Sequence, residues 1–188
     1  MQNPELIFEE VSHAYRLGGK VLPSVTQILD AVGLISDFAK SETAALRGSL
    51  VHRACHFLLL GNLDWSTVDS RILGYVLAYQ KFLEENPVEP VEVEACHYHK
   101  DYLYAGTLDA LVRHKKLGLF LYDLKTGSPA KYHGLQTAAY AGFFHGLIKR
   151  ATLFLYDDEN YNLRFHNDRT DWPSFISCLN VYRLKEVA

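Results

Sequence analysis

Two aspartates and a lysine carry the strongest chemical signal in the sequence. Asp109 ends a Gly-Thr-Leu-Asp segment, and fourteen residues later Asp123 begins the segment Asp-Leu-Lys-Thr-Gly, which contains Lys125. Asp123 and Lys125 are two apart on a predicted strand, so their side chains leave the same face of the sheet while the leucine between them points into the core. A D-x-K sequence alone is common, but charged residues at the end of an apolar strand are unexpected unless a site uses them.

These residue types favour a metal-dependent reaction. Two carboxylates that converge without a cation repel each other and raise each other's pKa. A hard divalent cation resolves the repulsion, and Mg²⁺ or Mn²⁺ prefers oxygen ligands. Such a cation can hold a phosphate oxygen, lower the pKa of a bound water and offset charge at the leaving oxygen. Lys125 beside this water would orient the nucleophile or neutralise charge on the phosphorus, so the trio predicts cleavage of phosphodiesters.

Three strands must position the trio. Apolar and β-branched patterning predicts strands over residues 88–98, 102–113 and 117–124, the last two joined by a short basic turn at 114–118. If the second and third strands pair as a hairpin, Asp109 approaches Asp123 at one end of the sheet.

The remaining elements surround these strands. In order, we expect a hairpin within 6–22 that turns at Gly18-Gly19, a helix capped by Ser24 and ending near Gly33, a helix over 42–60 capped by Ser41, helices over 70–85 and 132–149, strands over 151–156 and 161–165, and a last helix from about Asp171. The outline predicts one α/β domain over 1–188 with a central mixed β-sheet flanked by helices. In it, 1–87 supplies the hairpin and helices, and 88–188 supplies the sheet and the catalytic motifs.

Further motifs stand in a fixed order between residues 22 and 140. Residues 136–140 match Q-x-x-x-Y, residues 47–52 match R-G-x-x-x-H, and residues 22–29 read Leu-Pro-Ser-Val-Thr-Gln-Ile-Leu. Together with the G-x-x-D and D-x-K-T-G segments, they make the chain resemble the RecB-like exonuclease branch of the PD-(D/E)xK nuclease superfamily. The segment over residues 22–29 is similar to the corresponding segment of phage-type exonucleases and of the mitochondrial genome maintenance exonuclease. The sequence departs from the PD motif after which the superfamily is named, because Leu108, and not a proline, precedes Asp109.

The resemblance implies a restriction-endonuclease-like core and a metal centre. The ligands that it implies for Mg²⁺ or Mn²⁺ are His52, Asp109, Asp123 and the backbone carbonyl of Leu124. An imidazole ligand tilts the preference toward Mn²⁺. Relatives often place an acidic residue on the preceding strand, where Glu94 would complete the metal shell or hydrogen-bond the lysine. Glu92 shares the face of Glu94 and is a rival.

The resemblance also implies residues that contact the substrate. Gln136 and Tyr140 are one turn apart on a helix and can face the same place, and in the family they contact substrate phosphate or the catalytic lysine. The expected DNA contacts are Arg47, Ser49, Lys131 and Tyr132, the last two by charge and stacking.

The implied activity is a DNA exonuclease that acts on linear DNA from its ends, with a preference for single strands, in recombination, repair or replication. A recombination or single-strand-binding protein is the expected protein partner. Two alternatives stay open, namely a metal-dependent endonuclease and a non-catalytic DNA-binding accessory protein. A zinc metalloprotein built on Cys96, His97 and His99 is disfavoured, because no second Cys/His cluster matches them.

Composition sets the cellular context. Because the net charge is −3, the protein is not basic overall, and DNA binding would depend on a local track of basic residues. Three widely spaced cysteines indicate a reducing compartment and argue against the iron–sulfur cluster of some relatives. The N-terminus lacks a signal-peptide pattern, and the longest apolar run, 57–60, is too short for a membrane span. We therefore expect a cytoplasmic protein of a bacterium or a phage-infected cell, with no membrane association.

Overall fold

The computed structural model describes residues 5–10, 12–35 and 42–186. The elements in chain order are β1 (Leu6–Glu9), β2 (Ala14–Leu17), β3 (Lys20–Leu22), α1 (Val25–Ala31), α2 (Glu42–Leu59), α3 (Leu73–Glu85), β4 (Val88–Tyr98), β5 (Ala105–His114), β6 (Gly118–Lys125), α4 (Tyr132–Ala141), β7 (Lys149–Leu155), β8 (Tyr161–Phe165) and α5 (Asp171–Glu186). Within these ranges, no helix has the length and apolar character needed to cross a membrane.

Two sheets organise these elements. β1, β2 and β3 form an antiparallel sheet, and the central sheet has the order β4-β5-β6-β7-β8. Its strands are antiparallel except for β6 and β7, which run parallel and are connected through α4. A parallel pair needs such a crossover, because the chain must return to the end of the sheet where the first strand began before it can enter the second strand. The predicted fold class, a central mixed sheet flanked by helices with an N-terminal β region, is confirmed.

Apolar clusters cover both faces of the central sheet. On β6, Phe120, Tyr122 and Leu124 belong to the cluster shared with α2 and α3. Leu121 belongs to the opposite cluster, which α1, α4 and α5 complete. Side chains alternate across a strand, so Asp123 and Lys125 leave β6 on the face of Leu121 and α4.

The N-terminal turn and cap follow the sequence. Gly18 and Gly19 have φ of 55° and 83°, the left-handed conformation that a two-residue hairpin turn between β2 and β3 requires. Ser24 caps α1 as predicted, and the side chain of Gln27 completes a capping box with it. The hairpin is extended by β1 to three strands. The expected cap of α2, Ser41, lies outside the described residues.

The helix predicted over 132–149 is wrong in its second half, because α4 ends at Ala141 and Lys149 already belongs to β7. A Cβ on Gly142 would lie 2.5 Å from the ring of Trp172, so the chain leaves the helix at a close approach to α5. Gly146, with φ of 107°, then takes a backbone conformation that a helix excludes.

Two further elements begin later than predicted. α3 begins at Leu73 instead of 70, because the Asp69 carboxylate accepts the backbone N–H of Arg71 at 2.8 Å and holds a turn there. β5 begins at Ala105 instead of 102, because Leu103 has φ of 44° and donates its N–H to His99 O.

The strand predicted over 88–98 is confirmed as β4, but its alternation is not regular. The register against β5 shifts between Pro90 and Glu92. Val91, which a regular alternation would place on the same face as Val93, is 46% exposed. A bulge of this kind re-aims the side chains that follow it.

Candidate active site

Three acidic residues lie in one row across β4, β5 and β6. Val93 pairs with Ala110 and Ala95 with Leu108, which sets Glu94 opposite Asp109. On the other side of β5, Ala110 pairs with Tyr122, which sets Asp109 beside Asp123. Directly opposite residues of antiparallel strands project from the same face. The hairpin therefore brings Asp109 to Asp123, as the sequence predicts.

Asp109 is held by contacts to two different elements. Its Oδ2 accepts the backbone N–H of Leu124 at 2.6 Å, and its Oδ1 lies 3.1 Å from Nδ1 of His52 on α2. The strand next to Asp109 and the helix above it thus fix both oxygens of this carboxylate. The structure places the Leu124 N–H at the site, and ligation by its carbonyl stays a prediction.

His52, Glu94 and Asp109 form a group that can hold a metal ion. Their ligand atoms all lie within 4.8 Å of one another, and no other such group occurs among the described residues. Glu94 reaches the group from a left-handed backbone position, with φ of 48°. Its rival Glu92 instead contacts Nε2 of His97 at 2.5 Å. Of the two glutamates, Glu94 is the one at the site.

Asp123 and Lys125 form a close pair next to this group. Nζ of Lys125 lies 2.5 Å from Oδ2 of Asp123, and the aspartate is buried. Asp123 is outside the three-residue group, because its carboxylate is directed at the lysine. The structure therefore brings the trio together, with Asp109 on the side of His52 and Asp123 on the side of Lys125.

Burial and mutual repulsion shape the charges of the site. Burial, with the nearby Asp109, raises the pKa of Glu94 to about 7. Burial also raises the pKa of Asp123, although Lys125 opposes it. For Asp109 the positive side chains of His52 and Lys125 outweigh burial and lower the pKa.

The two basic groups are shifted in the opposite sense. Burial works to lower the pKa of Lys125, but Asp123 and Asp109 outweigh it and raise the pKa. Burial likewise opposes the charge on His52, and Asp109 raises its pKa overall. Three carboxylates thus face one ammonium and one imidazole, an excess of negative charge that favours a cation.

Gln136 and Tyr140 are brought to the same cavity from α4. Both are buried, and Nε2 of Gln136 donates to the Tyr140 hydroxyl at 3.1 Å. They line a cavity of about 380 Å³ together with the trio, His52 and Glu94. Oε1 of Gln136 is buried and has no hydrogen-bond partner among the described residues. A buried amide oxygen of this kind is free to accept from a bound substrate or its water.

Gly106 explains part of the G-x-x-D pattern. A Cβ at this position would lie 2.9 Å from the ring of Tyr140 and 3.3 Å from Val25. The glycine lets α4 and α1 approach β5 closely enough for Tyr140 to reach the site.

The four expected DNA contacts are separated by the structure. Arg47 and Tyr132 line a second cavity of about 460 Å³, which also reaches Lys125. Nε of Arg47 is buried without a hydrogen-bond partner among the described residues, and its guanidinium lies 5.6 Å from the ring centroid of Tyr75. Ser49 is exposed and lines a different cavity, beside His52. Lys131 faces neither and lies in a depression between α4 and α5.

The N-terminal β region contributes further residues to the site, although no sequence motif marks them. Phe8, His13 and Tyr15 line the cavity that holds the trio. The Tyr15 hydroxyl lies 2.7 Å from the Thr107 hydroxyl, which joins the two sheets. Thr107 lies within the G-x-x-D segment, so its position near the site could have been predicted from the sequence. No motif around Tyr15 indicates that this residue reaches the site.

The Leu-Pro-Ser opening serves to anchor this sheet. Pro23 O accepts the backbone N–H of Ala105 at 2.9 Å, and Ser24 bridges to the same residue. The contact ties the start of α1 to the start of β5, so the motif fixes the N-terminal wall of the cavity.

Comparisons with known proteins add little to this geometry. No protein-family model matches the chain, and no curated protein matches it. Among solved structures, an alkaline exonuclease from Laribacter hongkongensis is similar over 88% of this chain and 94% of that chain, with 15% sequence identity and a TM-score of 0.40. A likeness of this size carries no argument about activity.

Proposed function

We propose that the chain is a divalent-metal-dependent deoxyribonuclease of the RecB-like branch of the PD-(D/E)xK superfamily. One observation carries the proposal: the His52, Glu94 and Asp109 group and the Asp123–Lys125 pair open into one cavity with Gln136 and Tyr140. Each of these residues except Glu94 also stands at its place in the motifs that prompt the family assignment. His52 and Tyr140 stand 88 residues apart along the chain, so their convergence depends on the fold and not on local sequence.

The donor set fits a divalent cation. An imidazole nitrogen and two carboxylates offer one nitrogen and hard oxygen ligands, which suit Mn²⁺ and Mg²⁺. His52, Glu94 and Asp109 would hold the ion, with Asp123 as the adjacent carboxylate. When bound, the cation supplies Lewis acidity toward a phosphate oxygen and lowers the pKa of a water.

The remaining residues have roles that follow from their charges. The carboxylates of Asp123 and Asp109 raise the pKa of Lys125 against the effect of burial and so favour its ammonium form, which can stabilise negative charge at the phosphate. Asp123 keeps that ammonium in place through its 2.5 Å contact. Burial raises the pKa of Tyr140 well above its usual value, so its hydroxyl stays neutral and can donate to the phosphate.

The finer assignment is an exonuclease in the cytoplasm that degrades linear DNA from its ends, with single strands preferred. Its test uses an end-labelled linear strand and a closed single-stranded circle of the same sequence, each with Mn²⁺ and with a chelator. We expect Mn²⁺-dependent release of short products from the linear strand and an intact circle. Equal cutting of the circle would instead identify an endonuclease.

A further inference from the structure

A further cavity opens from the metal-ligand group along one side of α2. Its volume is about 770 Å³, within the range of cavities that hold organic ligands. Beyond His52 and Glu94, its lining includes Glu10, His13, Ser49, Arg53, His56 and Phe57. We call this cavity the α2 groove.

The α2 groove is continuous with the candidate active site. His13, His52 and Glu94 line both the groove and the cavity that contains Asp109 and Lys125. A DNA strand that places a phosphodiester at the active site must continue beyond it on at least one side. The groove begins at the metal-ligand group and offers room for this continuation.

The α2 side of the groove combines a cation with aromatic rings. Ser49, Arg53 and Phe57 follow one another at intervals of one helical turn, beside His52 and His56 in the adjacent row. The Phe57 side chain is 39% exposed, and its ring centroid lies 5.4 Å from that of His56. Arg53 is exposed, and no carboxylate of the described residues forms an ion pair with it.

These features match what a single nucleic-acid strand requires. Proteins that bind single strands pair cations for the backbone with exposed rings on which bases stack. In a duplex the bases already stack on one another and offer no free face to a side chain. The carboxylates of Glu10 and Glu94 also line the groove, so its lining is not uniformly basic and stacking on bases would add to the phosphate contact of Arg53.

We propose that the α2 groove binds the nucleotides of a single DNA strand next to the scissile phosphate, with Phe57 and His56 stacking on bases and Arg53 contacting a backbone phosphate. This inference rests on the proposed function and deepens it, because it assigns the substrate path. His56 is then a substrate contact.

The test measures binding separately from hydrolysis. Fluorescence anisotropy follows a labelled ten-nucleotide oligothymidylate on the full chain, with Ca²⁺ in place of Mn²⁺. Phe57→Leu keeps most of the apolar volume and removes the aromatic face, so we expect binding to weaken about 5- to 150-fold, the range for loss of one base stack. Phe57→Trp, which keeps an aromatic ring at this position, should bind the oligonucleotide as wild type does. Leu60→Ala, at an exposed leucine just past the end of α2 and outside the groove, is the matched control and should bind as wild type.

Arg53 is tested through salt. Arg53→Ala should reduce the slope of log binding constant against log salt concentration by about 0.7, the value for one phosphate contact on a single strand. Arg113→Ala, at an exposed arginine near the other end of β5 from Gly106, should leave the slope unchanged.

The outcomes separate the inference from the function. The inference is overturned if the wild type does not bind the oligonucleotide, or if Phe57→Leu binds within two-fold of wild type and Arg53→Ala keeps the full salt slope. If the wild type binds with both dependences but releases no products with Mn²⁺, the groove stands and the nuclease proposal fails.

Discussion

His133 makes the fold sensitive to acid, and the size of the effect follows from its surroundings. It lies in the first turn of α4 and is buried. Its Nδ1 accepts the backbone N–H of Ala130 at 3.2 Å, which only an unprotonated nitrogen can do. Burial, reinforced by the charges of Lys125, His166 and Arg164, lowers the pKa of His133 to about 3. The N-terminal end of a helix disfavours a cation as well.

The sign and magnitude follow from proton linkage. In the unfolded chain a histidine takes up its proton near pH 6.5, whereas folded His133 does so only near pH 3. Its contribution to stability is therefore complete above pH 6.5 and is lost progressively as the pH falls toward 3. The loss is about 1.4 kcal/mol per pH unit in that window, or about 2 kcal/mol at pH 5.

Urea unfolding at pH 7.5 and pH 5.0 measures this loss. His133→Asn keeps a side-chain oxygen that can accept the Ala130 N–H and does not titrate, so it should lose about 2 kcal/mol less than wild type between the two pH values. His145→Asn, at an exposed histidine, controls for the removal of a histidine as such. Losses for wild type and His133→Asn that agree within about 0.5 kcal/mol would refute the reasoning.

Two more predictions concern the metal group and the packing beneath it. Mn²⁺ at a hundred times its dissociation constant should stabilise the fold by about 2.7 kcal/mol, or roughly 5–11 °C in Tm. Asp109→Asn, which still offers an oxygen to the Leu124 N–H, should lose this gain in a thermal scan, and an equal Mn²⁺ shift in the variant would contradict the ligand assignment. Gly106→Ala should destabilise the fold by about 1–3 kcal/mol because its Cβ meets Tyr140, whereas Gly127→Ala, with open space around it, should not; equal unfolding midpoints would show that the packing argument is wrong.

The sequence predicted the parts of the site that depend on local periodicity. Asp123 and Lys125 share a face because strand side chains alternate, and a hairpin register of β5 and β6 brings Asp109 beside them. Gln136 and Tyr140 share a helix face because they are one helical turn apart. The carboxylates could therefore be placed before any contact was known.

The parts that were missed depend on distant contacts. The alternation put Glu92 and Glu94 on one face, but the bulge in β4 and the left-handed φ of Glu94 are set by pairing with β5. The end of α4 depends on how closely Trp172 approaches Gly142, thirty residues earlier in the chain. Tyr15 reaches the cavity through Thr107, ninety-two residues away, and no local pattern records such a contact.

The most direct test of the central claim is the rate of phosphodiester hydrolysis by Lys125→Ala. An end-labelled linear single strand with Mn²⁺ is the substrate, and Lys100→Ala, at an exposed lysine after β4, is the matched control. Because Lys125 supplies the positive charge at the phosphate, we expect the rate to fall at least 100-fold, as for loss of a single oxyanion contact, while the variant still folds and binds Mn²⁺. A rate within a few-fold of wild type and of Lys100→Ala would contradict the assignment of this site as a nuclease centre.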